Sequence, residues 1–107
     1  MPGAHAISQR AIKHSGIKPE IIEDICVGTV LANGPTYEAR TAALAAGIPE
    51  SVPIQTINRF CASGLVAVTA IASEIRAGQI DLGLAVGVES MSWKYALCVF
   101  WFQLNLH

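Results

Sequence analysis

The chain reads as an α/β domain in which helices cover the faces of a largely parallel sheet. Two observations predict this. Segments whose apolar residues recur at helical spacing alternate with short β-branched segments, in the order helix, strand, helix, strand, helix, strand. The connections between them are short and punctuated by Gly and Pro, as crossover units require. Three strands are fewer than such sheets usually carry, so the sequence is expected to be part of a larger fold.

Each element has its own signal. Over 4–14, Ala4, Ile7, Ala11 and Ile12 mark one helical face, and Gly16 follows as a stop. Pro19-Glu20-Ile21-Ile22-Glu23 reads as a short helical turn, and 25–31, rich in β-branched residues, as a strand closed by the turn Asn33-Gly34-Pro35. An Ala-dense helix is expected over 37–46, ending at Gly47, and a short strand over 54–58. The clearest helix spans 63–77, with Leu65, Val68, Ala72 and Ile75 on one side and Gly78 as terminator. Ile80, Leu82, Leu84 and Val86 then alternate with Asp81, Gly83 and Ala85, the period-two pattern of a strand, with a turn expected at Gly87. There is no internal repeat.

Composition narrows the function classes. Hydrophobic residues make up 52% of the 107 and charged residues 14%, an apolar excess that suits a buried α/β core or faces meant to be covered. The net charge is −1 and the seven cations are scattered, which is not the footprint of a nucleic-acid or membrane-surface binder. Three widely spaced cysteines fit neither a disulfide framework nor zinc-site spacing, and point to a reducing compartment. The apolar stretch 95–106 is too short for a spanning helix, no secretory leader is visible, and Asn-Leu-His is not a peroxisomal C-terminal address.

Cys61 is the candidate nucleophile. It lies between the strand ending at Asn58 and the helix starting near Ser63. A helix start favours a thiolate over a thiol, and its N–H groups can stabilise an oxyanion. Gly64 lets a substrate or another backbone approach closely, and a thiol suits acyl transfer because its thioester is readily made and broken. From the residues alone, a buried structural thiol is an equally good reading. Cys26, inside a strand, and Cys98, in the apolar tail, are expected to be structural. His5 and His14 lie on the first amphipathic helix, and Asp81 and Glu89 flank the last strand as capping or solvated groups.

Two segments resemble the N-terminal half of the thiolases, the acetyl-CoA C-acyltransferases. Asn58-Arg59-Phe60-Cys61-Ala62-Ser63-Gly64-Leu65 is similar to the family's signature around its acylated cysteine, and 78–92 to the strand and loop that follow it. Gly28-Thr29-Val30 and Glu38-Ala39-Arg40 fit the preceding part. The resemblance implies a layered α/β/α/β/α fold of two similar halves, assembled as a homodimer or tetramer. It implies that Cys61 takes an acyl group from a 3-ketoacyl-CoA, its backbone N–H contributing to an oxyanion hole. Acetyl-CoA leaves, and coenzyme A, a co-substrate rather than a bound cofactor, collects the shortened acyl chain. No metal is implied. The wording of the motifs is nearest to the degradative 3-ketoacyl-CoA thiolases of fatty-acid β-oxidation, and among them the peroxisomal branch, with mitochondrion or cytoplasm as alternatives.

The departures matter too. The family takes a catalytic histidine and a second catalytic cysteine from its C-terminal half, and no residue here matches those motifs. Residues 93–107 leave the family pattern after Ser92. The expectation is a partial thiolase N-terminal domain over 1–92 with a non-homologous apolar tail over 93–107, truncated and inactive alone. A non-catalytic thiolase-derived fragment and another thiolase-fold condensing enzyme are the alternatives.

Overall fold

The computed structural model describes residues 2–31, 34–90 and 97–105, with side chains from Ser8 to Leu31 and from Gly34 to Glu89. Helix α1 (Pro2–Ser15) leads through a 3-10 turn (Pro19–Ile21) to strand β1 (Asp24–Gly28). Helix α2 (Pro35–Ala45), strand β2 (Ile54–Ile57), helix α3 (Ser63–Arg76), strand β3 (Leu82–Ser90) and strand β4 (Leu97–Asn105) complete the order. The strands form one sheet in the order β2-β1-β3-β4. β1 pairs in parallel with both β2 and β3, and β4 runs antiparallel beside β3.

The α/β expectation holds, and three boundaries are corrected. β1 ends at Gly28 rather than at Leu31, because the next backbone groups are claimed elsewhere: the Val30 and Leu31 N–H groups donate to the Glu89 carboxyl and the Val30 carbonyl accepts from Asn58. α2 begins at Pro35, a residue suited to the first helical position because it has no N–H to leave unpaired. Gly34 precedes it in the left-handed region, at φ 62°, while Asn33, placed in the same expected turn, lies outside the described residues. β3 does not turn at Gly87. It continues to Ser90, since Gly87 pairs with Gly28 on one side and Phe100 on the other. The expected short strand at 54–58 and the stops at Gly16 and Gly78, φ 73° and 77°, are as read.

The packing of the two faces explains the alternation in β3. Leu82, Leu84, Val86 and Val88 join Ile25 and Val27 in one core with Ile12, Ile22, Ala39, Ala42, Ala43 and Ile48, from α1, α2 and their connections. Cys26 and Ala85 face the other way, onto Ala67 and Ile71 of α3. Gly83 shares that face: a Cβ there would lie 2.6 Å from Ile71 Cγ2. Every residue from Leu82 to Val88 is buried. The period of two therefore records large against small side chains on a strand covered on both faces, rather than apolar against solvent-facing ones. The small-residue face lets α3 lie close over β1 and β3, which decides where its first turn falls.

Candidate active site

The first turn of α3 lies at the C-terminal ends of the parallel strands, where open α/β sheets form their binding crevices. Gly28, the last residue of β1, makes this approach possible. A Cβ built on it would fall on Ser63 O and lie 2.8 Å from Gly64 N, so only hydrogen fits. Gly64 behaves differently. A Cβ there would meet only Gly87 Cα, at 3.8 Å, an ordinary contact, so close backbone approach does not require a glycine at that position.

Between β2 and α3 the chain makes the turn that carries Cys61. Phe60 adopts φ 49°, the only positive φ outside glycine among the described residues. A bulky residue held there costs on the order of 1–3 kcal/mol and is characteristic of functional turns. The ring does not fix the conformation, since Phe60 is 78% exposed. Its backbone groups are held instead: the N–H donates to Asn58 Oδ1 at 3.0 Å, and the carbonyl accepts from Ser63 Oγ at 2.7 Å. The buried Ser63 hydroxyl also accepts from Arg59 N–H at 2.8 Å. That serine points back into the turn instead of capping the helix. Ala62 stands at the N-cap and provides no side-chain cap, so the helix start keeps its electrostatic character.

Cys61 is exposed and lines a cavity of about 310 Å³. Val30, Leu31 and Phe60 supply apolar wall, Gly28, Gly64 and Gly87 supply backbone, and Val88 and Glu89 complete the lining. Glu89 is not a flanking residue, as the sequence suggested. It lies within β3, and its carboxyl oxygens accept from Val30 N–H at 2.8 Å and Leu31 N–H at 3.1 Å. Asp81 precedes β3, its N–H donating to Glu23 Oε1 at 3.1 Å.

Of the remaining sequence candidates, Cys26 and His14 do not line the cavity. Cys26 is fully buried, and burial, then the neighbouring Asp24 and Glu74, push its thiol up to about 11. That is an inert structural cysteine, as expected. His14 is exposed on α1. Cys98 lies on β4 opposite Glu89, with its side chain, like that of His5, outside the described residues. Among the described residues no helix is long and apolar enough to cross a membrane. Sequence reasoning missed Asn58, Ser63 and the strained Phe60. The available signal was an Asn two residues before Phe60, the spacing of an Asx turn.

This is an α/β domain that presents a thiol at a strand-to-helix turn, over an apolar cavity at the C-terminal edge of a parallel sheet. The family model "Thiolase, N-terminal domain" matches residues 3–99, and the chain belongs to that family. A peroxisomal 3-ketoacyl-CoA thiolase of Yarrowia lipolytica is 54% identical over 85 residues, covering 78% of this chain and 20% of that protein. The dimeric peroxisomal thiolase of Saccharomyces cerevisiae matches with a TM-score of 0.77 at 42% identity, covering 86% of this chain and 25% of the yeast chain. A thiolase of Ascaris suum, solved in complex with coenzyme A, matches with a TM-score of 0.78 at 34% identity, over 86% and 24%. The chain thus spans about a fifth of the length of the curated relatives it matches.

Proposed function

We propose that Cys61 is the acyl-accepting nucleophile of a 3-ketoacyl-CoA thiolase activity in peroxisomal fatty-acid β-oxidation. The observation that carries this reading is the placement of an exposed thiol, on a strained turn at an uncapped helix start, against an apolar cavity. The cysteine sulfur attacks the C3 carbonyl of a 3-ketoacyl-CoA, and the C2–C3 bond breaks. Its electron pair and a proton leave with acetyl-CoA, and the acyl group stays on Cys61 as a thioester. The thiol of coenzyme A then attacks that thioester, releasing the shortened acyl-CoA and returning the cysteine. The backbone N–H of Cys61 contributes to holding the oxyanion of each addition, and the apolar walls from Val30 and Leu31 receive the acyl chain.

Proton transfer to and from the reacting groups contributes about 10²–10⁴-fold in such reactions. Among the described residues no histidine and no second cysteine lines the cavity. The isolated chain is expected to give no measurable thiolysis, the acid and base coming, as the thiolase resemblance implies, from the family's C-terminal half. Dimeric or tetrameric assembly and coenzyme A as co-substrate follow from the same reading.

The test grafts residues 3–99 in place of the matching segment of the Yarrowia lipolytica relative. The chimera should cleave 3-ketoacyl-CoA, and Cys61→Ser should abolish turnover without changing its fold. A folded chimera whose activity survives Cys61→Ser would overturn the proposal. Cleavage of acetoacetyl-CoA by the 107-residue chain alone would overturn the expectation of inactivity.

A further inference from the structure

The turn that presents Cys61 is held by groups from all three parallel strands. Asn58, just past β2, uses both ends of its amide: Oδ1 accepts from Phe60 N–H at 3.0 Å, and Nδ2 donates to the Val30 carbonyl at 3.4 Å. The opposite amide orientation would face donor to donor at Phe60, so the bonding itself assigns it. The first bond closes an Asx turn. The second ties that turn to the segment after β1. Glu89 on β3 grips the same segment through Val30 N–H and Leu31 N–H. A continuous chain of hydrogen bonds therefore runs from Glu89 through Val30 and Asn58 to Phe60, the residue before Cys61.

The geometry fits a positioning role. Phe60 is in an unfavourable backbone region and its ring is exposed, so hydrogen bonds at its own backbone must hold it. Both Glu89 and Phe60 line the same cavity as Cys61. A side chain that does not touch substrate can still set where the nucleophile stands, and small displacements of a nucleophile have large effects.

We propose that Asn58 and Glu89 are positioning residues for Cys61, acting through the Phe60 backbone and the segment 29–31. The inference rests on Cys61 being the reactive thiol. A thiol fixed at a helix start reacts faster than one free to wander from it, which gives the proposal a direct readout in the chain as it exists.

The experiment treats the purified 107-residue chain with iodoacetamide at neutral pH and follows Cys61 and Cys26 separately by peptide mass. Buried Cys26 reports folding in every variant, since it is labelled only if the chain opens. Asn58→Ala is expected to slow Cys61 labelling about tenfold. Asn58→Asp keeps an acceptor for Phe60 N–H but loses the donor to the Val30 carbonyl, and should recover only part of that loss. Glu89→Gln keeps one acceptor for two donors and should fall between them. If Asn58→Ala opens the chain, Asn58→Asp and Glu89→Gln decide the matter. Rapid labelling of wild-type Cys61 left unchanged by these variants would overturn this inference alone. A wild-type Cys61 no faster than cysteine in an unstructured peptide would overturn the nucleophile reading, and this inference with it.

Discussion

Replacing Gly28 by Ala tests how the sheet places the site. Gly28 has an ordinary strand backbone, so the substitution introduces no left-handed strain and its whole effect is spatial. The added Cβ would fall on Ser63 O, 2.5 Å from Ser63 C and 2.8 Å from Gly64 N. These are backbone atoms of the first turn of α3, which cannot rotate aside as a side chain could. Restoring ordinary contact, about 3.4 Å, requires that turn to retreat by about 1 Å. Overpacking of this kind costs about 1–3 kcal/mol, and an immovable neighbour places it at the upper end. The gain from replacing glycine in a strand offsets less than about 1 kcal/mol, leaving a loss of about 2 kcal/mol. With a urea dependence of about 1–3 kcal/mol per molar, the unfolding midpoint followed by far-UV circular dichroism should drop by about 1 M. In the active chimera, thiolysis should fall about 100-fold, because Cys61 moves with the turn. Gly64→Ala is the matched control. Its Cβ would lie 3.8 Å from Gly87 Cα, and stability should change by less than about 1 kcal/mol. Equal midpoints for wild type and Gly28→Ala would refute the claim that α3 is seated on glycine contact.

Other outcomes follow from the same packing and charges. Ile71→Ala removes the main side chain of α3 from the core with Cys26 and Ala85, and should cost about 2–5 kcal/mol in urea unfolding. Phe60→Gly relieves the left-handed backbone while losing little buried surface, and should leave the thermal midpoint unchanged or higher. Burial, a hydrogen bond to Asp24 and the charge of Asp24 together raise the Glu74 carboxyl from 4.5 to about 7. The native state then binds more protons than the unfolded chain between those values, so this group's stabilisation is present below about 4.5 and is lost as pH rises through about 7. Glu74→Gln should flatten that part of the pH–stability curve, measured by urea unfolding from pH 4 to pH 8. At the alkaline end the sign is the same: Cys26, raised from 9.0 to about 11, should add a further loss of stability across that interval, absent in Cys26→Ala.

The local features were legible in the sequence, and the long-range ones were not. Helical spacing and glycine stops located the three helices, because those signals depend on neighbours within a turn or two. The strand-to-helix position of Cys61 was readable for the same reason. The alternation at Leu82 to Val88 located a strand but not what covers it, since sequence cannot say that Gly83, Ala85 and Gly87 face α3 rather than water. β4 was missed because 97–105 is a short apolar run, which periodicity alone does not distinguish from other buried segments. The Glu89 bonds to Val30 and Leu31 span 59 and 58 residues, and no local pattern announces a contact at that separation.

Where the acyl group goes can be measured as a mass. The active chimera is mixed with a 3-ketoacyl-CoA in the absence of free coenzyme A, quenched in acid, digested and mapped. The shortened acyl group is expected on the peptide containing Cys61, removed when coenzyme A is added before the quench. Turnover with no acyl group on Cys61, or with the group on a different cysteine, would contradict the nucleophile role of Cys61.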